Sequence, residues 1–374
     1  MKFNLVSHSF LSESETFVET KSFVGGEEIY LYDLAKLLIK LGNDVTILLA
    51  GKKEKDFFYE EMKIRTFKVI NKRFFNLAWK KKIEKNSDHV HLHDFEYAYP
   101  LATNNMTGTC HGVTWDIPTN GSIYWKSHNF FHKFLARQAI KLLNKIASVD
   151  SFLLRFVQSE MPNYRDKIEI IYSYVNTNTF NPKVKGKEIK KKYENRKIIL
   201  FPRNLTFVRG SLLILEAMKY IVKKYPEVLL IMTGTGPLKN RIEFLIKENK
   251  LENNVALIGH QDHFKDMPKL YAASDLVVIP SLGREGCSLS CLEAMATRRP
   301  VVVTNVGGLL DIVIDNFNGL ISKVNPMCLA KKITYLLENK GEAKRVATNG
   351  YWYVKKYFNY DIWCKKYAEF FGIA

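Results

Sequence analysis

Residues 275 to 296 read Asp275-Leu-Val-Val-Ile-Pro-Ser-Leu-Gly-Arg-Glu285-Gly-Cys-Ser-Leu-Ser-Cys-Leu-Glu293-Ala-Met-Ala296. The four apolar residues 276 to 279 have the length of a buried strand, Pro280 to Gly286 break the pattern, and residues 290 to 296 resume as a helix. Strand, loop and helix make one βα unit, and in a parallel α/β sheet ligands bind beyond the carboxyl ends of the strands. Gly286 lets the backbone approach a ligand closely, and the free N–H groups of a helix start aim at an anion. Glu293 keeps two readings, a ligand contact or the partner of Ser290 in a Ser-x-x-Glu capping box. Glu285 has no comparable local role.

The same alternation runs outward in both directions. Strands are expected at residues 2–8, 44–50, 89–93, 108–110 and 156–159, with a helix at 27–40 that ends at Gly42. A polar segment around 172–182 and a charged helix at 185–192 interrupt the pattern. It then restarts with strands at 198–202, 228–233, 255–258, 276–279 and 301–304 and helices at 211–224, 238–248 and 290–296. The expected fold is α/β, two Rossmann-like doubly wound parallel-sheet domains. The first domain is residues 1–176 with 357–374, the second 177–356. Strand ends place Ser7-His8, His93-Asp94, His111-Gly112, Arg203, Gly234 to Gly236 and the loop at Glu285 where chemistry is expected.

A chain of 374 residues, 47% hydrophobic and 25% charged, suits two cores and is unlike a disordered sequence. No apolar run nears the roughly 20 residues that cross a bilayer, and the first ten residues lack a secretory apolar region, so a cytoplasmic protein is expected. The five cysteines form no C-x-x-C pair and read as reduced. The net charge of +18 favours anionic partners and sits mainly in the second half, +14 against +4 for residues 1–175. Residues 52–85 nonetheless hold 12 basic and five acidic side chains among seven aromatic ones. Two readings stay open for them: docking on an anionic membrane surface at the inner face, or a surface loop over hydrophobic core. No nucleic-acid module is present.

Asp275 to Ser281, Glu285, Gly286, Glu293-Ala-Met-Ala296, Pro300 to Thr304 and Gly307-Gly308 follow in the order and spacing of the family 4 glycosyltransferases, which this chain resembles. The resemblance implies the GT-B fold, with two domains facing across a cleft and a C-terminal helix, here residues 358–371, crossing back to the first domain. It implies transfer of a sugar from a nucleoside diphosphate donor, UDP- or GDP-linked, to a hydroxyl of a glycan, lipid-linked or protein-linked acceptor. Such transfer proceeds with retention and without a metal or a permanent cofactor. By the same resemblance Glu285 and His111 are the catalytic residues, Glu285 on the donor sugar. Gly25, Gly26, Arg203, Arg209, Gly286, Cys287, Ser288 and Leu289 would bind the diphosphate, and Glu293, Gly234, Gly236, Gly259 and His260 the nucleoside. The family has an Arg and, five residues on, a Lys at the start of the second domain. Here Arg209 takes the lysine position and Asn204 the arginine position, so neighbouring Arg203 is expected to supply the charge.

His89, His91 and His93 alternate along one strand with no carboxylate beside them, which reads as a core or cleft face rather than a zinc site. No Asp-x-Asp motif and no phosphate-loop glycine signature occur in the sequence. Two competing functions stay open: a nucleotide-sugar epimerase of the same fold, and a basic protein that binds anionic surfaces.

Overall fold

The computed structural model describes residues 1–8, 26–51, 53–68, 79–83, 87–100, 103–119 and 121–373. The chain divides into two compact units: residues 1–115, 119–172 and 364–374, and residues 116–118 and 173–363.

The first unit runs β1 (Lys2–Ser7), α1 (Gly26–Lys40), β2 (Asp44–Gly51), β3 (Lys55–Tyr59), β4 (Met62–Lys68), β5 (His89–Leu92), β6 (Met106–Cys110), α2 (Ile123–Leu142), β7 (Lys145–Ser148), α3 (Phe152–Glu160) and β8 (Ile168–Ile170). Among the described residues its strands form an eight-stranded sheet in the order β3-β4-β2-β1-β5-β6-β7-β8. All neighbours are parallel except the β3–β4 hairpin. Strand order reverses at β1, which pairs β2 on one side and β5 on the other, so the switch point lies at Ser7 and His93. The central strands are buried on both faces; β2 accordingly reads as a largely apolar run, whereas β5 and β6 bury His89, His91, Thr107 and Thr109 among their apolar residues.

The segment at 156–159, expected as a strand, is the end of helix α3. Leu153, Phe156 and Val157 are its buried residues, and their spacing of three and four is the helical period. Phe156-Val-Gln-Ser159 pairs two apolar with two polar residues, too short a run to separate the two periods by itself. The strands on that side are β7 and β8, each too short to announce itself.

The second unit runs α4 (Lys187–Lys192), β9 (Ile198–Phe201), α5 (Ser211–Lys224), β10 (Leu229–Thr233), α6 (Lys239–Glu248), β11 (Val255–Gly259), α7 (Met267–Ala273), β12 (Leu276–Ile279), α8 (Leu289–Ala296), β13 (Val301–Thr304), α9 (Leu309–Ile312), β14 (Leu320–Ser322), α10 (Pro326–Glu338) and α11 (Lys340–Tyr357). Its six strands are all parallel, in the order β11-β10-β9-β12-β13-β14. Here the switch point falls between β9 and β12, which places Arg203 and Ser281 side by side beyond the strand ends. The last helix, α12 (Tyr360–Phe371), contributes its residues from Cys364 onward to the first unit, where the Tyr367 hydroxyl bonds to Tyr30 at 2.7 Å. Among the described residues no helix is long and apolar enough to cross a membrane.

Gly210 joins Arg209 to α5 with φ +74°, and a Cβ there would lie 1.8 Å from the Pro280 carbonyl oxygen. Only glycine lets these two strand-end loops touch. Gly210→Ala should therefore lower the melting temperature by roughly 5 to 10 °C in calorimetry, since both backbone strain and a backbone clash must be absorbed.

Candidate functional site

Glu285 stands in a loop drawn tight at both ends. Arg284 adopts φ +50°, and its N–H donates to Asp116 Oδ1 at 2.8 Å. The Glu285 carbonyl accepts from Gly308 N at 2.8 Å, and a Cβ on Gly307 would lie 2.2 Å from that oxygen. The backbone so held turns the side chain inward, where only 4% of the residue is exposed. Its carboxylate accepts from Arg203 Nη2 at 2.8 and 2.6 Å and from Ser281 Oγ at 2.7 Å, and also pairs with Arg209 Nη1. Burial alone would push this carboxyl up, but the Arg203 and Arg209 guanidiniums and the Ser281 hydroxyl outweigh it and hold it at about 2. Glu285 is an anion across the physiological range and has no proton to donate.

The trio of one carboxylate and two guanidiniums carries a net positive charge. Arg203 is nearly buried, with 9% of its side chain exposed, while Arg209 keeps 30%. Arg203 Nη1 also donates to Ser288 Oγ at 2.9 Å, and Ser288 is the residue from which α8 starts. Two arginines thus stand beside the N-terminal N–H groups of a helix, an arrangement that favours an anion. Gly286 and Cys287 are buried in the stretch between Glu285 and that helix start, and Leu289 is half-buried.

The capping-box reading of Glu293 fails. Helix α8 begins at Leu289, so Ser290 lies inside it and donates to the Pro202 carbonyl at 3.2 Å. The Glu293 carboxylate instead accepts from the Tyr271 hydroxyl at 2.7 Å and lies 3.7 Å from His263 Nε2. Burial, and then the Glu293 charge, push the Tyr271 phenol far above its usual range, so it remains a donor.

The glycine loops after β10 and β11 meet beside Arg203. Gly234 N–H donates to the Gly259 carbonyl at 2.7 Å, Leu205 N–H to Thr235 O at 2.9 Å, and a Cβ on Gly234 would lie 2.8 Å from the Arg203 carbonyl. Gly236 belongs to the same loop, and His260 is exposed at its edge. Arg203, Arg209, Glu285, Ser288 and these loops therefore share one end of one sheet. Asn204 makes no contact with the Glu285 carboxylate among the described hydrogen bonds; Arg203 does.

In the first unit His111 follows β6 and places Nε2 3.3 Å from His93 Nδ1, with the Tyr30 ring edge-on at 4.9 Å. Burial pushes its imidazole down to about 3, so it is neutral. His89 and His91 both bond to Thr107 Oγ1, at 2.7 and 2.9 Å, and His91 continues to Thr109 and thence to Tyr367. They are hydrogen-bonded core residues. Gly26 opens α1 in an exposed position, and Gly25 lies outside the described residues. Of the 52–85 patch, Phe67 and Trp79 are core residues and Arg65 is held by Asp56, while Phe58 is exposed. Residues 52, 69–78 and 84–86 lie outside the described residues. Ser281, named beforehand only as the start of the loop where chemistry is expected, joins the site together with Tyr271 and Asp116, which were not singled out. Ser281 follows directly on the strand end in the opening stretch, whereas nothing local marks the other two.

A sequence profile described as "Glycosyl transferases group 1" matches residues 183–352, and one described as "Glycosyltransferase Family 4" matches 24–179. An uncharacterized glycosyltransferase of Methanocaldococcus jannaschii is 25% identical over 94% of this chain and 95% of its own. Among solved structures, sucrose-phosphate synthase from Thermosynechococcus elongatus superposes with a TM-score of 0.82 at 18% identity, covering 99% of this chain and 98% of that one. The HepE protein of Anabaena in complex with UDP superposes with 0.77 at 17% identity over the whole of both chains.

Because its pKa is depressed, Glu285 adds stability that is fully present above the ordinary carboxyl value of 4.5 and is lost as pH falls toward about 2. The shift corresponds to on the order of 3 kcal/mol. In acid titrations followed by circular dichroism, wild type should lose stability more steeply than Glu285→Gln between those limits. Parallel curves would contradict the assignment.

Proposed function

Since the chain belongs to the family 4 glycosyltransferases and has their GT-B fold, we propose that it moves a sugar from a nucleoside diphosphate to an acceptor hydroxyl with retention at the anomeric carbon. The observation that carries this reading is the buried Arg203–Glu285–Arg209 cluster beside the start of α8. A diphosphate is the ligand that such a cationic pair, next to unpaired helix N–H groups, would hold most strongly.

In this reading Arg209, the more exposed of the two, exchanges part of its contact with Glu285 for the phosphates, and Arg203 stays to hold the carboxylate. Glu285, ionised and fixed by Ser281, accepts hydroxyls of the donor sugar. The bond from the anomeric carbon to the phosphate oxygen breaks while the acceptor oxygen bonds on the same face. The acceptor proton passes to the departing phosphate. Charge accumulates on that phosphate, and the guanidiniums stabilise it where it develops. Neither a protein nucleophile nor a protonated carboxylic acid takes part, in keeping with a Glu285 carboxyl held at about 2. His111, neutral beside His93, serves as a hydrogen-bonding partner of the sugar and not as a cation.

The nucleoside falls to Glu293 and the glycine loops at Gly234, Gly236 and Gly259. A carboxylate whose neighbour is a permanently protonated phenol is free to accept from ribose hydroxyls on its other edge. A uracil nucleotide is the preferred donor base, supported by the UDP complex of the HepE protein of Anabaena. The acceptor is a hydroxyl of a cell-surface glycan or of its lipid-linked precursor.

Titration calorimetry with UDP, GDP and ADP tests the donor half directly. UDP should bind, and Arg209→Met should weaken it by about 10- to 100-fold. Nuclear magnetic resonance of the released product should show the donor's anomeric configuration preserved. Glu285→Gln should retain UDP binding while losing at least a thousandfold in transfer. Full transfer by that variant would overturn the assignment of Glu285, and a chain that binds none of the three nucleotides would overturn the transferase reading.

A further inference from the structure

Helix α2 is amphipathic in an unusual sense: its inner side is apolar and so is its outer side. Ala136, Ala139 and Ile140 are buried, and His132 Nδ1 bonds to the buried Glu96 at 2.6 Å, so the helix is anchored. Its outer side exposes Ile123 at 80%, Tyr124 at 66%, Phe130 at 75%, Phe131 at 56% and Phe134 at 41%. Ile123 and Phe130 are the two most exposed large apolar side chains among the described residues. Spacings of three, four and seven put them on adjoining stripes. Scattered single apolar residues on a surface need no explanation, but five within 12 positions of one helix do.

The charge around them is one-sided. No aspartate or glutamate occurs from residue 117 to 149, whereas Lys126, Lys133, Arg137, Lys141 and Lys145 do. Lys133 and Arg137 share Glu160, which leaves Lys126, between Tyr124 and Phe130, and Lys141, about two turns beyond Phe134, exposed.

We propose that the outer face of α2 docks on an anionic lipid membrane, with the aromatic and aliphatic side chains at the headgroup boundary and Lys126 and Lys141 on lipid phosphates. An exposed apolar stripe accompanied by lysines is the pattern of a helix that lies in the interface plane, and a helix whose own residues are cationic, with Glu160 already taken by Lys133 and Arg137, is complementary to anionic headgroups. A second copy of the chain fits less well. Isologous pairing would set one cationic helix against its copy and bring Lys126 and Lys141 of both together. This inference does not depend on the transferase reading. It also moves the membrane-facing surface away from the 52–85 segment, whose Phe67 and Trp79 are core residues.

The test is co-sedimentation of the full chain with vesicles of phosphatidylglycerol and phosphatidylcholine, and with phosphatidylcholine alone, at low and at physiological salt. Wild type should bind the anionic vesicles at least tenfold more strongly than the neutral ones, and salt should weaken that preference. Phe130→Ser combined with Phe131→Ser should lose at least tenfold in binding at an unchanged melting temperature, and Phe58→Ser should keep wild-type binding. If the phenylalanine variant does not fold, Lys126→Glu with Lys141→Glu serves instead, and should abolish the preference for anionic lipid. The proposal is overturned if wild type ignores anionic vesicles at low salt, or if a folded α2 variant binds as wild type does. It is also overturned if light scattering finds a wild-type dimer that the phenylalanine variant dissolves. UDP binding measured alongside separates the two readings: vesicle binding without nucleotide binding spares this one and removes the other.

Discussion

A carboxylate buried to 4% exposure is costly unless its charge is matched, and at Glu285 two guanidiniums and a hydroxyl do the matching. Much of the second unit is arranged to make that match. β9 and β12 are neighbours at a topological switch, which delivers Arg203 and Ser281 to the same spot. Gly210 allows the Arg209 loop to lie against Pro280, and Gly307 allows the chain after β13 to accommodate the Glu285 carbonyl. Removing Glu285 would leave two guanidiniums side by side without their counter-ion, so the cluster is at once a structural joint and a store of positive potential.

On the proposed reading, that dual nature explains how an anion site can be assembled before its ligand arrives. The two arginines repel each other, and Glu285 is the internal counter-ion that holds them together. The excess positive charge sits on the side of Arg209, which retains solvent access. Preorganised cations of this sort cost little reorganisation when charge develops on a leaving group.

The first unit solves the opposite problem. His89 and His91 on its β5 are buried without counter-charges, and burial keeps them neutral and hydrogen-bonded through Thr107, Thr109 and the tyrosines of α1 and α12. A neutral polar network of this kind ties the final helix to the sheet and leaves His111 at its edge as an uncharged hydrogen-bonding group. The contrast between an ionised cluster in one unit and a neutral one in the other follows from the presence or absence of arginine at the strand ends.

From the amino-acid sequence alone, the alternation of short apolar runs with amphipathic segments determined two parallel-sheet units. The residues at the strand ends, Arg203, Glu285 and His111 among them, were legible because backbone periodicity is local and strand ends follow from it. The run at 156–159 was misread, since Phe-Val followed by two polar residues is too short to separate the two periods, and α2 escaped notice because apolar residues on both its faces blur the amphipathic signal. Which groups stand next to one another was decided only by the tertiary structure. That Arg203 and not Asn204 holds Glu285, that Glu293 faces Tyr271 and not Ser290, and that Asp116 secures Arg284 are distances between residues 22 to 168 positions apart, apart from the Ser290 question. Charge pairing depends on separation in space and on burial, and neither is written in the order of residues along a chain.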